Sequence, residues 1–348
     1  MPRIRRVDTS IAGLSRRRTG RGWVYVDPCG ERVTDPDTLA RIKALVIPPA
    51  WREVWICPIP NGHIQALGTD DAGRRQYIYH QVWRARREAA KFELMLDFAR
   101  ILPGLRDRVA DDLRLEGMPA ERVLACAVRL IDRGFFRIGG EAYAERNSSY
   151  GLATIEKRHV RIEGETITFD YTAKNGRRRL VQLVDPDALP VVGVLLRRRG
   201  GPDLLAWRDG RHWRDLRSRD VNCYIKLQAG DHHSAKEFRT WSATVLAAVG
   251  LAVSAATGAS PTARTRAIAR VVKEVAAYLG NTPAVARASY IDPRVIDAYR
   301  AGQTVAAALD GLGDVERYGE PSFHGEVELA VLELITERKG ASLEEVIA

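Results

Sequence analysis

Histidine, cysteine and long apolar runs are all scarce in this chain of 348 residues, which holds 7 His and 4 Cys. Cys29, Cys57, Cys126 and Cys223 lie far apart and form no C-x-x-C pair, so neither a zinc site nor a disulfide framework is expected. They suit a reducing compartment. His232 and His233 lie near Cys223, but adjacent histidines seldom ligate one ion and no fourth ligand is spaced for it. The longest uncharged run, TVLAAVGLAVSAATGASPTA, is rich in Ala, Gly, Ser and Thr, which predicts a small-residue core helix and not a membrane span. The basic start MPRIRRVDTS has no apolar segment, so no secretory signal is expected, and the NSS sequon at 147–149 means little without export. Glycines in RRRGG and GLGD belong to no strand, Gly-rich loop and Lys-Ser/Thr unit, which argues against an ATP-driven motor. Repeats and low-complexity segments are absent from the sequence.

What the chain has in excess is positive charge. It carries 54 Lys+Arg against 44 Asp+Glu, a net charge of +10, and most of the cations are arginine. That balance suits a phosphate-rich polyanion, because a guanidinium bridges two phosphate oxygens where an ammonium offers a point charge. A basic but merely solvated surface is the plain alternative.

The length allows two domains, each with its own core. The expected fold class is α+β: a small β-rich N-terminal domain over 1–88, then a larger, mainly α-helical domain over 89–348 containing a three-stranded antiparallel sheet. GWVYVDPCGERV and VWICPIPNGHIQALGTD are short β-branched and aromatic runs broken at PCG and PNG, which predicts two hairpins, and RQYIYH predicts a further strand. From about residue 84, apolar residues recur at helical spacing in RARREAAKFELMLDFARILPGLRDRVADDLRL and ERVLACAVRLIDRGFF. HVRIEGETITFDYTAKNGRRRLVQLVD then alternates by two with turns at EGE and AKNGR, placing Lys174 exposed on the second turn. Helices resume through VNCYIKLQ, AKEFRTWSATVLAAVGL and ARTRAIARVVKEVAAYLG, and the tail GEVELAVLELITERKG reads as an amphipathic helix.

Three segments place cations at unusual positions. RGFFRIGGEAY sets Arg137 in apolar packing, where an unpaired charge is costly, so a carboxylate such as Glu141 or a bound anion must compensate. SAKEFRTW sets Arg239 between Phe238 and Trp241, with Glu237 or Asp231 as the plain partner. Lys174 alone would read as a solvated turn lysine. In LGNTPAVARASYIDP a helix capped by Asn281 and Thr282, with Pro283 at its first position, stops at Tyr290 before DP starts another. A tyrosine on a broken helix, two packed arginines, an amide and a hairpin lysine suit attack on a phosphodiester. The arginines and Asn281 would hold the non-bridging oxygens, Lys174 would protonate the leaving oxygen, and Tyr290 would become a phosphotyrosine.

RGFFRIGGEAYAERNSSYGLATIEKRHV, FDYTAKNGRRR, VNCYIK…SAKEFRTW and GNTPAVARASYIDP, in this order, resemble the poxvirus-like bacterial branch of the type IB DNA topoisomerases. The resemblance covers nearly the whole chain. It implies that Tyr290, Arg137, Lys174, Arg239 and Asn281 form the catalytic set, and that Lys236 assists proton transfer to the leaving group. The viral pattern has histidine at the position of Asn281 and an acidic residue at that of Asn175. GRRQYIYH is similar to the family's strand facing the DNA major groove, making Gln76 and Tyr77 base or phosphate contacts and Tyr79 a backbone contact. Two tyrosines on one strand also read as sheet packing. Tyr143 is a further DNA-contact candidate.

The function so implied is transient cleavage of one strand through a 3′-phosphotyrosyl link, rotation and resealing, with no cofactor, neither ATP nor metal. The expected partner is duplex DNA, especially supercoiled, clamped between two basic domains of a monomer, at no membrane. The expected setting is the bacterial cytoplasm, at the nucleoid. A tyrosine recombinase has similar chemistry, but recombinases usually show His-x-x-Arg where this chain has Lys236-Glu-Phe-Arg239. A non-catalytic architectural DNA-binding protein explains the charge but not the coexistence of these residues.

Overall fold

A computed structural model describes residues 3–20, 22–255, 260–310 and 325–337. The chain divides into two compact units, Met1–Lys91 and Phe92–Ala348.

In the first unit, β1 (Leu14–Thr19), β2 (Gly22–Val26), β3 (Arg52–Ile56), β4 (Ile64–Thr69) and β5 (Arg75–Tyr79) form one antiparallel sheet in the order β2-β1-β3-β4-β5. Helix α1 (Pro36–Ala44) starts where the Asp35 carboxylate accepts the Thr38 N–H and Pro36 takes the first turn. Its Ile42 packs with Leu14, Val54, Ile56 and Ala66 as the core of this unit. The PNG turn joins β3 to β4 as the sequence predicts. The PCG turn differs: it closes with a single bridge, Val26 to Arg32, and β2 pairs instead with β1. The segment LSRRRT shows no apolar alternation, which hides β1 from a pattern reading. Its Arg16 is half-buried, stacking 4.0 Å over the Trp23 ring and donating to the carbonyls of Pro48 and Trp51 at 2.7 Å.

Helix α2 (Gln81–Leu113) begins in the first unit and continues into the second. There follow α3 (Ala120–Gly134), α4 (Glu141–Asn147), and the antiparallel sheet of β6 (Val160–Glu163), β7 (Thr166–Ala173) and β8 (Arg177–Val184). Helix α5 (Ala188–Arg197) leads to a small hairpin, β9 (Ala206–Asp209) with β10 (His212–Asp215). The remaining described elements are helical: α6 (Ser218–Ala229), α7 (Ala235–Ala255), α8 (Pro261–Leu279), α9 (Pro283–Ser289), α10 (Pro293–Arg300), α11 (Ala306–Asp310) and α12 (Glu326–Thr336). The architecture is therefore α+β with a three-stranded antiparallel sheet in the helical part.

Helix α7 runs through the core of this unit. Phe238, Trp241, Ala243 and Val245 are buried among residues of α2, α3, α8 and α10. The end of α3 is joined to the sheet by Phe136, which meets Phe169 edge-on at 4.9 Å and stacks on Tyr171 at 6.0 Å. Burying each such ring contributes about 2–3 kcal/mol, so the segment leading into Arg137 is firmly seated. Among the described residues no helix is long and apolar enough to cross a membrane.

Candidate active site

The carboxyl end of α8 leaves its last carbonyls without helical partners, and the partial negative charge there attracts cations. Four arginines converge on it. Arg179 of β8 donates to the carbonyls of Tyr278 (2.6 Å) and Ala277 (3.3 Å), and Arg239 to that of Leu279 (2.9 Å). Arg137 reaches the Gly280 carbonyl at 3.4 Å, and Arg177 the Asn281 carbonyl at 3.3 Å. Gly280 makes the turn possible: its φ is +61°, and a Cβ there would sit 3.0 Å from Cδ of Arg179.

Arg239 is 4% exposed. Its second anchor is the carbonyl of Phe135, a residue held at φ 53° in the left-handed region where α3 ends. That conformation costs a non-glycine residue about 1–2 kcal/mol, and the guanidinium helps to hold it. The backbone of Arg137 is pinned by the Leu152 N–H to its own carbonyl and by the Ala153 N–H to that of Ile138, both at 2.8 Å. This crossing demands Gly139 opposite Gly151, because a Cβ on Gly151 would come within 2.4 Å of Gly139. The Arg137 guanidinium donates to Oδ1 of Asn281.

Neither arginine has a carboxylate partner among the described residues, which corrects the plain ion-pair expectation for both. Glu141 instead accepts the N–H and hydroxyl of Ser218, at 2.8 and 3.1 Å. Glu237 caps its own helix by accepting the N–H and hydroxyl of Ser234, both at 2.8 Å. Backbone carbonyls offer partial charges only, so the pair keeps its net positive charge. Burial, with Arg137 close by, lowers the Arg239 pKa to about 10, far below the usual guanidinium value.

Tyr290 ends α9 with φ −132°, outside the helical region, and Asp292 caps α10 two residues later. The cap of α9 is Thr282 alone, whose hydroxyl accepts the Val285 N–H, so the side chain of Asn281 is released to meet Arg137. Thr244 of α7 holds the break between the two helices. Its hydroxyl lies 3.2 Å from the Tyr290 carbonyl and accepts the Asp292 N–H at 3.1 Å. The Tyr290 ring is half-buried, with the Arg239 guanidinium carbon 5.4 Å from its centroid. Burial raises the phenol's pKa, but the charges of Arg239 and Arg137 and the nearby Asn281 amide outweigh it, and the net shift is downward. Nδ2 of Asn281 and Nε of Arg239 are buried donors without a hydrogen-bond acceptor among the described residues. Unsatisfied donors around a phenol of lowered pKa form a cradle for an anion.

Lys174 opens the three-residue tip between β7 and β8, exposed and without an ion pair or hydrogen bond among the described residues. Asn175 and Gly176 follow with positive φ, 66° and 70°, which gives the tip its tight reversal. Lys236 lies exposed on the first turn of α7, one helical turn before Arg239. In the first unit, β5 is an edge strand that turns Tyr77 and Tyr79 to one face, each 44% exposed, with rings stacked at 6.1 Å. Gln76 alternates to the opposite face with Ile78, and its amide donates to Asp70 at 2.9 Å. Tyr143 falls on α4, and its side chain lies outside the described residues. His233 is buried against Phe98, ring centroids 5.5 Å apart. Among the described residues no three His, Cys, Asp or Glu side chains are grouped to hold a metal.

Pattern reading missed Arg177, Arg179 and Thr244. The run RRR after the hairpin lysine was the available signal for the first two; nothing in the local sequence marks Thr244.

The sequence matches the family described as the catalytic core of eukaryotic DNA topoisomerase I over residues 80–306, and the N-terminal domain of bacterial DNA topoisomerase IB over 22–70. It is 29% identical to the DNA topoisomerase 1B of Acanthamoeba polyphaga mimivirus across 297 residues, 83% of this chain and 88% of the viral one. Similarity to the vaccinia virus (strain Copenhagen) DNA topoisomerase 1B is narrower, 22% over 109 residues, covering 31% of this chain and 35% of the other. The catalytic-core match spans more than half of the chain and includes Arg137, Lys174, Arg239, Asn281 and Tyr290, and the chain belongs to the type IB DNA topoisomerases, a family of DNA-binding isomerases.

Proposed function

We propose that this chain relaxes supercoiled duplex DNA by cutting one strand through Tyr290, letting the free end rotate, and resealing it. One observation carries this reading: the phenol of Tyr290 faces two carboxylate-free guanidiniums, Arg239 at 5.4 Å from the ring and Arg137 tied to Asn281. In the proposed step the phenol gives its proton to solvent and its oxygen bonds to phosphorus. The bond from phosphorus to the 5′ oxygen breaks, and that oxygen takes a proton from Lys174, with Lys236 assisting. Arg137, Arg239 and the Asn281 amide donate to the non-bridging oxygens, where charge builds. Resealing is the reverse, with neutral Lys174 now accepting the proton. The 3′-phosphotyrosyl link retains the energy of the broken bond, so neither nucleotide hydrolysis nor a metal ion is required.

The N-terminal domain, placed at residues 1–88, would meet the duplex through the exposed face of Tyr77 and Tyr79. Gln76, turned the other way and bound to Asp70, would contact DNA only after releasing that bond. Tyr143 is a further proposed contact. The enzyme would act as a monomer, on bacterial DNA in the cytoplasm. The test is to incubate the protein with negatively supercoiled plasmid and EDTA, without nucleotide. Relaxation by the wild type and none by Tyr290→Phe is the expected result. Relaxation by Tyr290→Phe, or strict dependence on added metal, would refute the proposal.

A further inference from the structure

Lys174 is exposed at the end of a hairpin, yet general acid catalysis needs its ammonium within hydrogen-bond reach of one leaving oxygen. The trailing arm of the hairpin supplies the missing restraint. Side chains alternate along β8, so Arg177 and Arg179 share one face and Arg178 takes the other. Arg178 is occupied within the sheet, forming a two-bond fork with Asp170 at 2.8 and 2.5 Å. Arg177 and Arg179 reach beyond the sheet. Between them they bind the carbonyls of Ala277, Tyr278 and Asn281, at the end of α8 that also receives Arg239 and Arg137.

Arg179 is the inner bond. It stands opposite the buried Tyr171 in the β7–β8 register and passes close over Gly280, where a Cβ would meet its Cδ at 3.0 Å. Arg177 is the outer bond, three residues beyond Lys174. The leading arm, β7, is held on the same face as Arg179 by the packing of Phe169 and Tyr171 on Phe136.

We infer that Arg179, with Arg177 as a lesser partner, is a positioning residue that straps the Lys174 hairpin to the carboxyl end of α8, so that the acid and the oxyanion cradle keep one geometry. This rests on the reading of Lys174 as general acid. Arg179 itself touches no reacting atom. Nη1 of Arg179 donates to two successive carbonyls, which fixes its planar group in orientation.

The experiment uses a duplex with one mapped cleavage site, made with either oxygen or sulfur as the 5′ leaving atom, under single-turnover conditions. A thiolate leaves without protonation, so a defect confined to the acid vanishes on the sulfur substrate. Arg179→Met keeps the apolar stem and removes the donors. It should slow cleavage about 10- to 100-fold on oxygen, the scale of a small misplacement of a catalytic group. On sulfur it should stay within about threefold of the wild type, as Lys174→Ala should, because the proton is no longer needed. Lys174→Ala placed on top of Arg179→Met should cost far less than on the wild type, as for residues that act through one another. Arg177→Met, which removes only the outer bond, should show the same substrate preference with smaller amplitude and serves where Arg179→Met unfolds. Equal slowing of the Arg179 and Arg177 variants on both substrates, with Lys174→Ala still rescued by sulfur, overturns the strap alone. Failure of sulfur to rescue Lys174→Ala overturns the general-acid reading and the strap with it.

Discussion

Arg106 and Arg239 are both largely buried guanidiniums in the same helical unit, and they are completed in opposite ways. Arg106 forks onto Asp132 at 2.8 and 3.0 Å and onto Glu328 of α12 at 2.5 Å, while Glu328 also accepts the indole N–H of Trp241 at 2.8 Å. Burial disfavours its charge, but the two carboxylates more than compensate and its pKa is raised. Arg239 sits on two carbonyls with a second arginine beside it, and its pKa falls to about 10. In the first cluster two carboxylates more than offset the guanidinium's charge, and the contact fastens α12 to the core. The second holds unneutralised positive charge next to a phenol. A buried cation without a counter-ion is an expensive arrangement, and a phosphodiester is the anion that would complete it.

The largest separation between the two clusters should appear on removing the phenol or the cations. Tyr290→Phe should abolish covalent adduct in a gel assay while duplex binding stays close to wild type. Arg239→Ala should slow single-turnover cleavage by about two to three orders of magnitude, as for loss of an oxyanion donor, and Arg239→Lys should recover little of it. Arg106→Met should do the reverse. It strands Asp132 and Glu328, so chemical denaturation should report a loss of about 3 kcal/mol, with the cleavage rate of the folded fraction unchanged. Similar rate losses at Arg239 and Arg106 would break the comparison.

Asn281 and its neighbour Thr282 sharpen the same contrast between chemistry and fold. Asn281→Ala should slow cleavage by about two orders of magnitude and barely change thermal melting. Thr282→Ala should cost about 1 kcal/mol of stability as a lost helix cap and leave the rate near wild type. Asn281→His should regain part of the rate with a new pH dependence near neutrality, because imidazole titrates there and an amide does not.

The pH profile gives the smallest effect. In the proposed reaction the phenolate is the nucleophile, so the cleavage rate should rise with pH and level off once the phenol has ionised. With the Tyr290 pKa lowered, the plateau should begin below the ordinary tyrosine value of 10.0. Arg239→Ala removes the leading cause of that lowering and should move the rise to higher pH. An unmoved profile would assign the ionisation to another group.

Much of this was legible in the sequence because the relevant signals are local. The alternation in HVRIEGETITFDYTAKNGRRRLVQLVD gives the sheet with Lys174 at its tip, and the proline-punctuated run to Tyr290 gives the broken helix. What stayed hidden depends on distant residues. Whether Arg137 meets Glu141 or Asn281 is decided by a Gly139–Gly151 crossing and by the end of α8, more than a hundred residues away. Thr244 is an ordinary residue in an apolar helix until the chain returns to place Tyr290 and Asp292 against it. The strand β1 is disguised by its arginines, and the partners of Arg16 lie about thirty residues on, at 47–51.

The central claim is that the carboxylate-free arginines serve one phenol. Its most direct test is to trap the covalent protein–DNA adduct formed by the wild type on duplex DNA and map it by peptide mass spectrometry. The nucleotide should be found on Tyr290, joined through a 3′ phosphate. An adduct on Tyr143, Tyr171, Tyr278 or Tyr299, or a link through a 5′ phosphate, would contradict it.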